Sequence, residues 1–418
     1  MNKDNTIQNR KLWQHPWRYK ESFLVVMELA LLGLIFEVLT GGKGAPQLQW
    51  PVNAIVGVII ISSVGIIYAK SRKNPIIKWI SSVPAAISAI SFFAIVTLLL
   101  GFIPQDGESG SRFVNLLGFS HMKNSWLMMV SGLYFLVALG FVTMRRTQPL
   151  NRKNIGFLLN HAGLWITIAA GYLGAGDLEK KNLRLLEGNE ASNIAVNMRT
   201  GTMDKLPFSV QLLDFDIEDY NPKIAIVNAS SGTLVQEEGN TIQLIEEGLK
   251  TNLLDWEVEI LEFLPDAFYL IGQKEYVAKD SMGAAPAALV RATHPGSGRV
   301  HEGWISCGSF SVMFSSLELG GNRILAMTTP EPQKYSSDLL IKDNELGDTE
   351  VRVEVNKPYK HRSWKLYQLS YDERMGKWSQ LSVIEAVRDP WLPLVYTGIF
   401  MLLAGAAYIF WTGRNIKE

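Results

Sequence analysis

Few residues in this chain are equipped for chemistry. Six histidines and one cysteine are spread over 418 residues, and one of them, His161, stands inside the uncharged stretch from Asn154 to Gly176. That stretch is long enough to cross a bilayer. An ionisable imidazole in hydrocarbon is costly, so its default reading is functional: a metal or heme ligand, a proton relay, or a polar partner for another helix. The bland alternative is a histidine that bonds a carbonyl of a neighbouring helix. On a helix, Trp165 lies one turn after His161, and Phe157 and Leu158 lie one turn before it.

The other reactive side chains narrow the possibilities. Cys307 is alone, so the chain can neither close an intramolecular disulfide nor carry a CxxC redox pair or a cysteine-rich zinc site. A transmembrane carrier of thiol reductant is disfavoured for the same reason, and Cys307 reads as a small buried residue. No CxxCH string occurs, so the chain is not itself a c-type cytochrome. His15 sits in the N-terminal leader, His121 in a short loop, and His294, His301 and His361 in a strand-rich region, where surface or satisfied polar roles are expected. Nucleophile-base pairs, glycine-rich phosphate loops and paired-carboxylate motifs are missing. Net charge is zero without a basic run, which argues against nucleic acid as a partner.

The elements that must position His161 follow from the distribution of charge. Uncharged runs extend from Gly44 to Ala69, Trp79 to Gln105, Asn124 to Met144, Asn154 to Gly176 and Pro390 to Gly413, each of about 20 residues or more. A further span from Phe23 to Leu39 is apolar apart from Glu28 and Glu37. Glu28 fits a proton relay, a contact with a partner helix or a gap among lipid headgroups. Basic residues concentrate in alternate connections: Lys3, Arg10, Lys11, Arg18 and Lys20; Lys70, Arg72, Lys73 and Lys78; Arg145, Arg146, Arg152 and Lys153; Arg414 and Lys417. The positive-inside rule therefore predicts both termini in the cytoplasm, with an uncleaved first span as anchor. Trp79, Trp126 and Trp391 near span ends fit an interfacial belt.

Between Asp177 and Asp389 charge is dense and the pattern changes. Alternating runs at Phe208 to Ile217, Trp256 to Phe263, Ser309 to Leu317, Glu350 to Val355 and Trp364 to Tyr371 are punctuated by turn residues such as Tyr220-Asn221-Pro222 and His294-Pro295-Gly296. Period two with such turns predicts antiparallel sheet, as a sandwich or an open barrel. The expected fold is a polytopic α-helical membrane protein of about six spans, with a large outward-facing antiparallel β-rich domain between spans five and six. Arg388 and Asp389 mark the outer mouth of the last span.

Several strings, in order, resemble the ResB/CcsB family of cytochrome c biogenesis proteins. Leu100-Gly101-Phe102-Ile103-Pro104-Gln105 closes a helix in the manner of that family's first. Leu117-Gly118-Phe119 through Ser125-Trp126, then a helix ending at Arg145-Arg146, is similar to its second. Phe157-Leu158-Leu159-Asn160-His161-Ala162-Gly163, followed by Leu183-Arg184-Leu185-Leu186-Glu187-Gly188, resembles its third helix and next strand. Leu206-Pro207-Phe208-Ser209-Val210, Val355-Asn356-Lys357-Pro358, Tyr367-Gln368-Leu369-Ser370-Tyr371 and Asp389-Pro390-Trp391 complete the series. Coverage runs from about Trp79 to the C-terminus.

The expected chain has four parts: an N-terminal leader and extra hairpin (1–78), to which the resemblance does not extend, and then, as the resemblance implies, three core spans (79–176), a periplasmic β-rich domain (177–389), and a last span with its tail (390–418). It implies a subunit of a system II cytochrome c synthase in the inner membrane. Its partner would be a CcsA-like protein carrying the tryptophan-rich WWD segment, which this chain lacks. The cargo would be heme b in transit, shared with that partner and destined for the CxxCH motif of apocytochrome c. His161 would then be one axial ligand of the heme iron, with Phe157, Leu158 and Trp165 packing the porphyrin; neutral imidazole suits iron. No second histidine lies in a span, so the other axial ligand must come from the partner. Arg388 could also meet a heme propionate. No residue is placed to activate thiols, so the implied role is accessory to bond making. The rival reading is a membrane-anchored assembly or sensory scaffold whose β domain binds a protein without handling heme.

Overall fold

The computed structural model describes residues 11–105, 111–148 and 150–413. Lys3, Arg10, Arg414 and Lys417, which contribute to the charge pattern, lie outside them, as does the side chain of Lys153. The chain forms two compact units: one of residues up to 178 and from 389 onward, the other of residues 179–388.

The first unit is helical. Its helices are α1 (Tyr19–Leu39), α2 (Val52–Ser71), α3 (Pro75–Ile80), α4 (Val83–Phe102), α5 (Arg112–Leu116), α6 (Trp126–Arg146), α7 (Arg152–Gly174) and α8 (Leu392–Gly413). All but α3 and α5 are long and apolar enough to cross a membrane, six among the described residues, which makes this a multi-pass membrane protein by length and composition. Two expected spans are shortened by local chemistry. The run beginning at Gly44 does not become helical until Val52, because Gly41, Gly42 and Gly44 hold positive φ and Pro46 and Pro51 remove donors. The run from Trp79 divides at Ser81 and Ser82, where Pro84 near the start of α4 cannot continue α3. Helix α6 is the hub, and its Tyr134, Phe135, Ala138 and Leu139 pack with Ala85, Ala89, Phe92 and Val96 of α4 in one buried cluster.

The second unit is antiparallel throughout. One eight-stranded sheet contains β1 (Glu179–Leu186), β2 (Ser192–Asn197), β3 (Met203–Asp219), β13 (Pro332–Lys342), β14 (Thr349–Glu354), β15 (Tyr359–His361), β16 (Trp364–Tyr371) and β17 (Leu381–Arg388). A four-stranded sheet holds β4 (Lys223–Asn228), β5 (Ile242–Leu244), β11 (Leu317–Gly320) and β12 (Arg323–Met327). A five-stranded sheet holds β6 (Lys250–Leu253), β7 (Trp256–Leu270), β8 (Glu275–Ala278), β9 (Ala285–His294) and β10 (Arg299–Ser306).

Order in the large sheet is β14-β13-β3-β2-β1-β17-β16-β15; its strands enclose one core, including Leu183, Val210, Leu339, Leu366 and Ile384, against which half-buried Tyr359 of β15 packs. Buried Ser337 of β13 bonds Gln368 of β16 at 2.6 Å and Ser382 of β17 at 2.7 Å across that interior, so the sheet is rolled into an open barrel. The smaller sheets face each other over a second core built on Ile224, Ile226, Trp256, Val258, Val290 and Leu325. Sandwich and open barrel are both present, as two lobes. The sandwich is inserted between β3 and β13, which are themselves ladder neighbours.

Alternation in β3 buries Leu206, Phe208, Val210 and Leu212, then Phe215 and Ile217. A bulge in its ladder with β13 changes the phase from even to odd. One expected strand is absent: Ser309 to Leu317 is mostly loop. Gly308 has a φ of +75°, and the Ser309 hydroxyl donates to Gly283 O while accepting from Ser311 N and Val312 N, so a serine turn displaces the ladder.

Asp343 is the most heavily bonded carboxylate of this unit. It accepts from Arg362 through two nitrogens, from His361 Nε2 at 2.8 Å, and from the backbone of Glu345 and Leu346. The Arg362 guanidinium foremost holds it far below the usual carboxylate range. A depressed pKa gives stability that is full above the unfolded-state value and is lost as pH falls through the folded one. The advantage of wild type over Asp343→Asn in urea midpoint is therefore expected to be full at pH 7 and to shrink progressively below about pH 4. Equal midpoints at pH 7 would refute this.

Candidate functional site

His161 owes its position to how α7 is held on two sides. The Asn151 side chain caps α7 by accepting from Asn154 N at 3.0 Å. On one side, α7 meets α8 through glycines. A Cβ on Gly163 would lie 2.6 Å from Gly398 O, and one on Gly405 would lie 2.6 Å from Asn160 N, so the two backbones are in contact. On the other side, α7 is tied to α6: Trp165 Nε1 donates to Leu136 O at 3.0 Å and Tyr172 OH to Met128 O at 3.4 Å.

His161 shares the face of Trp165, Ile168 and Tyr172, nine residues into α7, or about 14 Å along its axis. Its Nδ1 lies 3.0 Å from the carbonyl oxygen of Phe157, its own helix one turn back. A carbonyl only accepts, so Nδ1 carries the proton, and in the neutral ring the lone pair is on Nε2. Among the described residues Nε2 has no hydrogen-bond partner. The ring is half-buried and stacks on Phe157, with centroids 3.6 Å apart and planes 20° from parallel, while the Arg146 guanidinium lies 5.2 Å from that phenyl centroid. An imidazole with one nitrogen fixed by a carbonyl and the other bare has the arrangement that metal-ligating histidines use.

The companions of His161 are employed differently. Phe157 braces the imidazole by stacking. Trp165 is anchored to α6 and lines an apolar cavity of about 220 Å³ with Leu136, Tyr172 and Leu173. That volume is below the range of ligand pockets, and His161 does not line it. Leu158 is half-buried. No group of three or more potential metal-ligating histidine, cysteine, aspartate or glutamate side chains occurs among the described residues, so His161 can supply one ligand position and not a complete site.

No family model and no curated protein matches this chain.

The remaining histidines have partners of their own. His121 Nε2 lies 3.1 Å from Glu37, His294 Nε2 3.1 Å from Asp255, and His361 Nε2 2.8 Å from Asp343. His15 stacks on Trp17, and His301 meets the Trp256 ring edge-on. Arg388 pairs with Glu179 at 3.1 Å, and Asp389 Oδ1 accepts from the backbone of Trp391 and Leu392 at the start of α8.

Two carboxylates organise the helix ends: Asp177, where charge resumes after the fifth span, and Glu37, a charge within the first. Asp177 accepts from Trp50 N, Asn53 Nδ2 and Trp391 Nε1, joining α2, α7 and α8. Glu37 is fully buried and joins α1 to α6. Their partners lie up to 214 residues away in sequence, so no local pattern could reveal them.

Cys307 is half-buried rather than enclosed in the core. It lines a cavity of about 550 Å³ beside the β3-to-β4 and β12-to-β13 crossovers, with Asp219, Phe263, Tyr371 and Trp378. Burial pushes its thiol up to about 11, and the Asp219 carboxylate adds to the shift. Thiolate is the reactive form. Native Cys307 is therefore expected to react with iodoacetamide at pH 8 about two orders of magnitude more slowly than a free cysteine, and at the ordinary rate in denaturant. Equal rates in both conditions would contradict the assigned environment.

Proposed function

We propose that this protein handles heme during cytochrome c maturation, as the CcsB-like half of a two-subunit synthase, with His161 giving one axial ligand to heme in transit. The observation that carries the reading is the imidazole itself: Nδ1 is committed to the Phe157 carbonyl, and among the described residues the Nε2 lone pair of this half-buried ring has no partner. Bound heme would offer an iron that accepts an imidazole nitrogen. Phe157, parallel to the imidazole, keeps that ring from turning, and Trp165 keeps α7 in register with α6.

On this reading the second axial ligand belongs to a CcsA-like subunit carrying the WWD segment. The chain lies in the inner membrane with both termini cytoplasmic and the β unit in the periplasm. His161 is then near the side where heme is made, since the basic residues Arg145, Arg146 and Arg152 flank its end of the bundle. The β unit would meet apocytochrome c, with the short edge strands β14 and β15 available for strand addition.

The test is coexpression with the partner subunit. His161→Ala is expected to remove most of the heme absorbance of the purified complex and the covalent maturation of a reporter cytochrome. His161→Gly with added imidazole should restore the absorbance. If His161→Ala copurifies with its partner and keeps the full spectrum, the ligand role is lost, and the β unit acting as a scaffold becomes the better reading.

A further inference from the structure

The two faces of α1 are built for different neighbours. One face is buried against α4 and α6: Val25, Val26, Leu29 and Leu34 pack there, and Gly33 comes so close that a Cβ would lie 2.9 Å from Leu127 Cα. Glu37 continues this face. Glu28 stands nine residues earlier, about 180° around the helix. It is exposed and lies near the middle of a 21-residue span, about 14 Å from its first residue. Around it run Leu31, Leu32, Ile35 and Leu39, all exposed, at 58%, 41%, 52% and 74%. They form an apolar stripe interrupted by a single carboxylate.

In a bilayer that carboxylate is at midplane depth with hydrocarbon on its open side, the most costly position for an acid. Protonation does not remove the difficulty, because a carboxyl O–H and carbonyl in lipid also lack partners. The described part of this chain offers Glu28 none. A second copy docked face to face would bring another acid to the same place, which pairs only if both carboxyls are protonated, whereas a basic donor pairs with the carboxylate as it stands. The complement is a basic donor delivered by another helix.

We propose that the Leu31-Leu32-Ile35 stripe around Glu28 is a docking surface for a transmembrane helix of a partner subunit that carries one basic side chain level with Glu28. The apolar stripe supplies close packing, and the Glu28 carboxylate fixes depth and rotation. This needs only the span assignment of α1; the first experimental arm below uses no partner from the cytochrome reading, and the second arm rests on that reading.

The first arm uses the full chain in phosphatidylcholine vesicles, with a photoreactive benzoylphenylalanine replacing Ile35. The probes are two synthetic polyleucine transmembrane peptides, one with a central lysine and one without. Wild-type Glu28 is expected to capture the lysine peptide about fivefold more than the leucine peptide. Glu28→Leu should abolish the preference, and Glu28→Gln should leave part of it. Equal capture of both peptides, or a preference that survives Glu28→Leu, overturns the proposal.

The second arm coexpresses the WWD-bearing subunit. Loss of copurification in Glu28→Leu, with His161→Ala complexes intact, supports the docking surface; copurification indifferent to Glu28→Leu overturns it. If the wild-type chain forms no complex at all, the cytochrome reading fails, and the peptide result alone decides the stripe.

Discussion

Replacing Gly163 with leucine is expected to destabilise the helical unit by about 3 kcal/mol or more, at the upper end of what overpacking costs. The reason is the kind of atom in the way. A Cβ on Gly163 would meet Gly398 O at 2.6 Å and Leu402 N at 2.8 Å, and neither is the end of a side chain that can swing aside. The backbones of α7 and α8 would have to separate along the whole seam, because Gly156, Gly163, Gly398 and Gly405 are all in close contact with the opposite helix. Gly405→Leu should have a similar effect, since its Cβ would lie 2.6 Å from Asn160 N. Gly171→Leu is the control: it is on the same helix and nothing lies within 4 Å of its Cβ position. Thermal unfolding in detergent should therefore separate Gly163→Leu and Gly405→Leu from an almost unchanged Gly171→Leu. Three similar midpoints would mean that the seam is not a tight backbone contact. In the heme reading, the same wedge would also displace His161, two residues from Gly163.

That seam shows what the sequence reveals and what it conceals. Six apolar runs were legible because lipid-facing helices must be uncharged for about 20 residues, and the strands because one-sided burial imposes period two. Boundaries failed where a local device intervened: the glycines and prolines before Val52, the break at Ser81 and Ser82, and the Ser309 turn. The seven-residue spacing of Gly156 with Gly163, and of Gly398 with Gly405, is visible in the sequence. Its meaning is not, because matching the two pairs requires knowing that helices separated by more than 200 residues are neighbours. His161 could be singled out by the cost of its burial. The fate of its two nitrogens could not, since the accepting Phe157 carbonyl is a backbone atom that every residue type shares.

Glu37 reverses the usual argument, because a residue that weakens the case for a span proves to hold the span in place. Glu37→Ala is expected to cost about 2–5 kcal/mol, because it leaves two backbone donors unmatched at about 1–3 kcal/mol each. One oxygen accepts from Gly44 N at 2.8 Å and lies 3.1 Å from His121 Nε2; the other accepts from Trp126 N at 2.8 Å. Trp126 is the first residue of α6, so the carboxylate also sits at the positive end of that helix. Alanine would leave two backbone donors and an imidazole without acceptors, in a space closed by Gly118, where a Cβ would lie 2.7 Å from Glu37 Cδ. Glu37→Gln keeps one acceptor oxygen and should lose less, while His121→Ala should lose least, because His121 is a quarter exposed and water can replace it. Thermal midpoints in detergent should rank Glu37→Ala lowest, then Glu37→Gln, then His121→Ala. If His121→Ala falls as far as Glu37→Ala, the contact with the imidazole outweighs the two backbone donors, and the carboxylate is not acting as the anchor of α6.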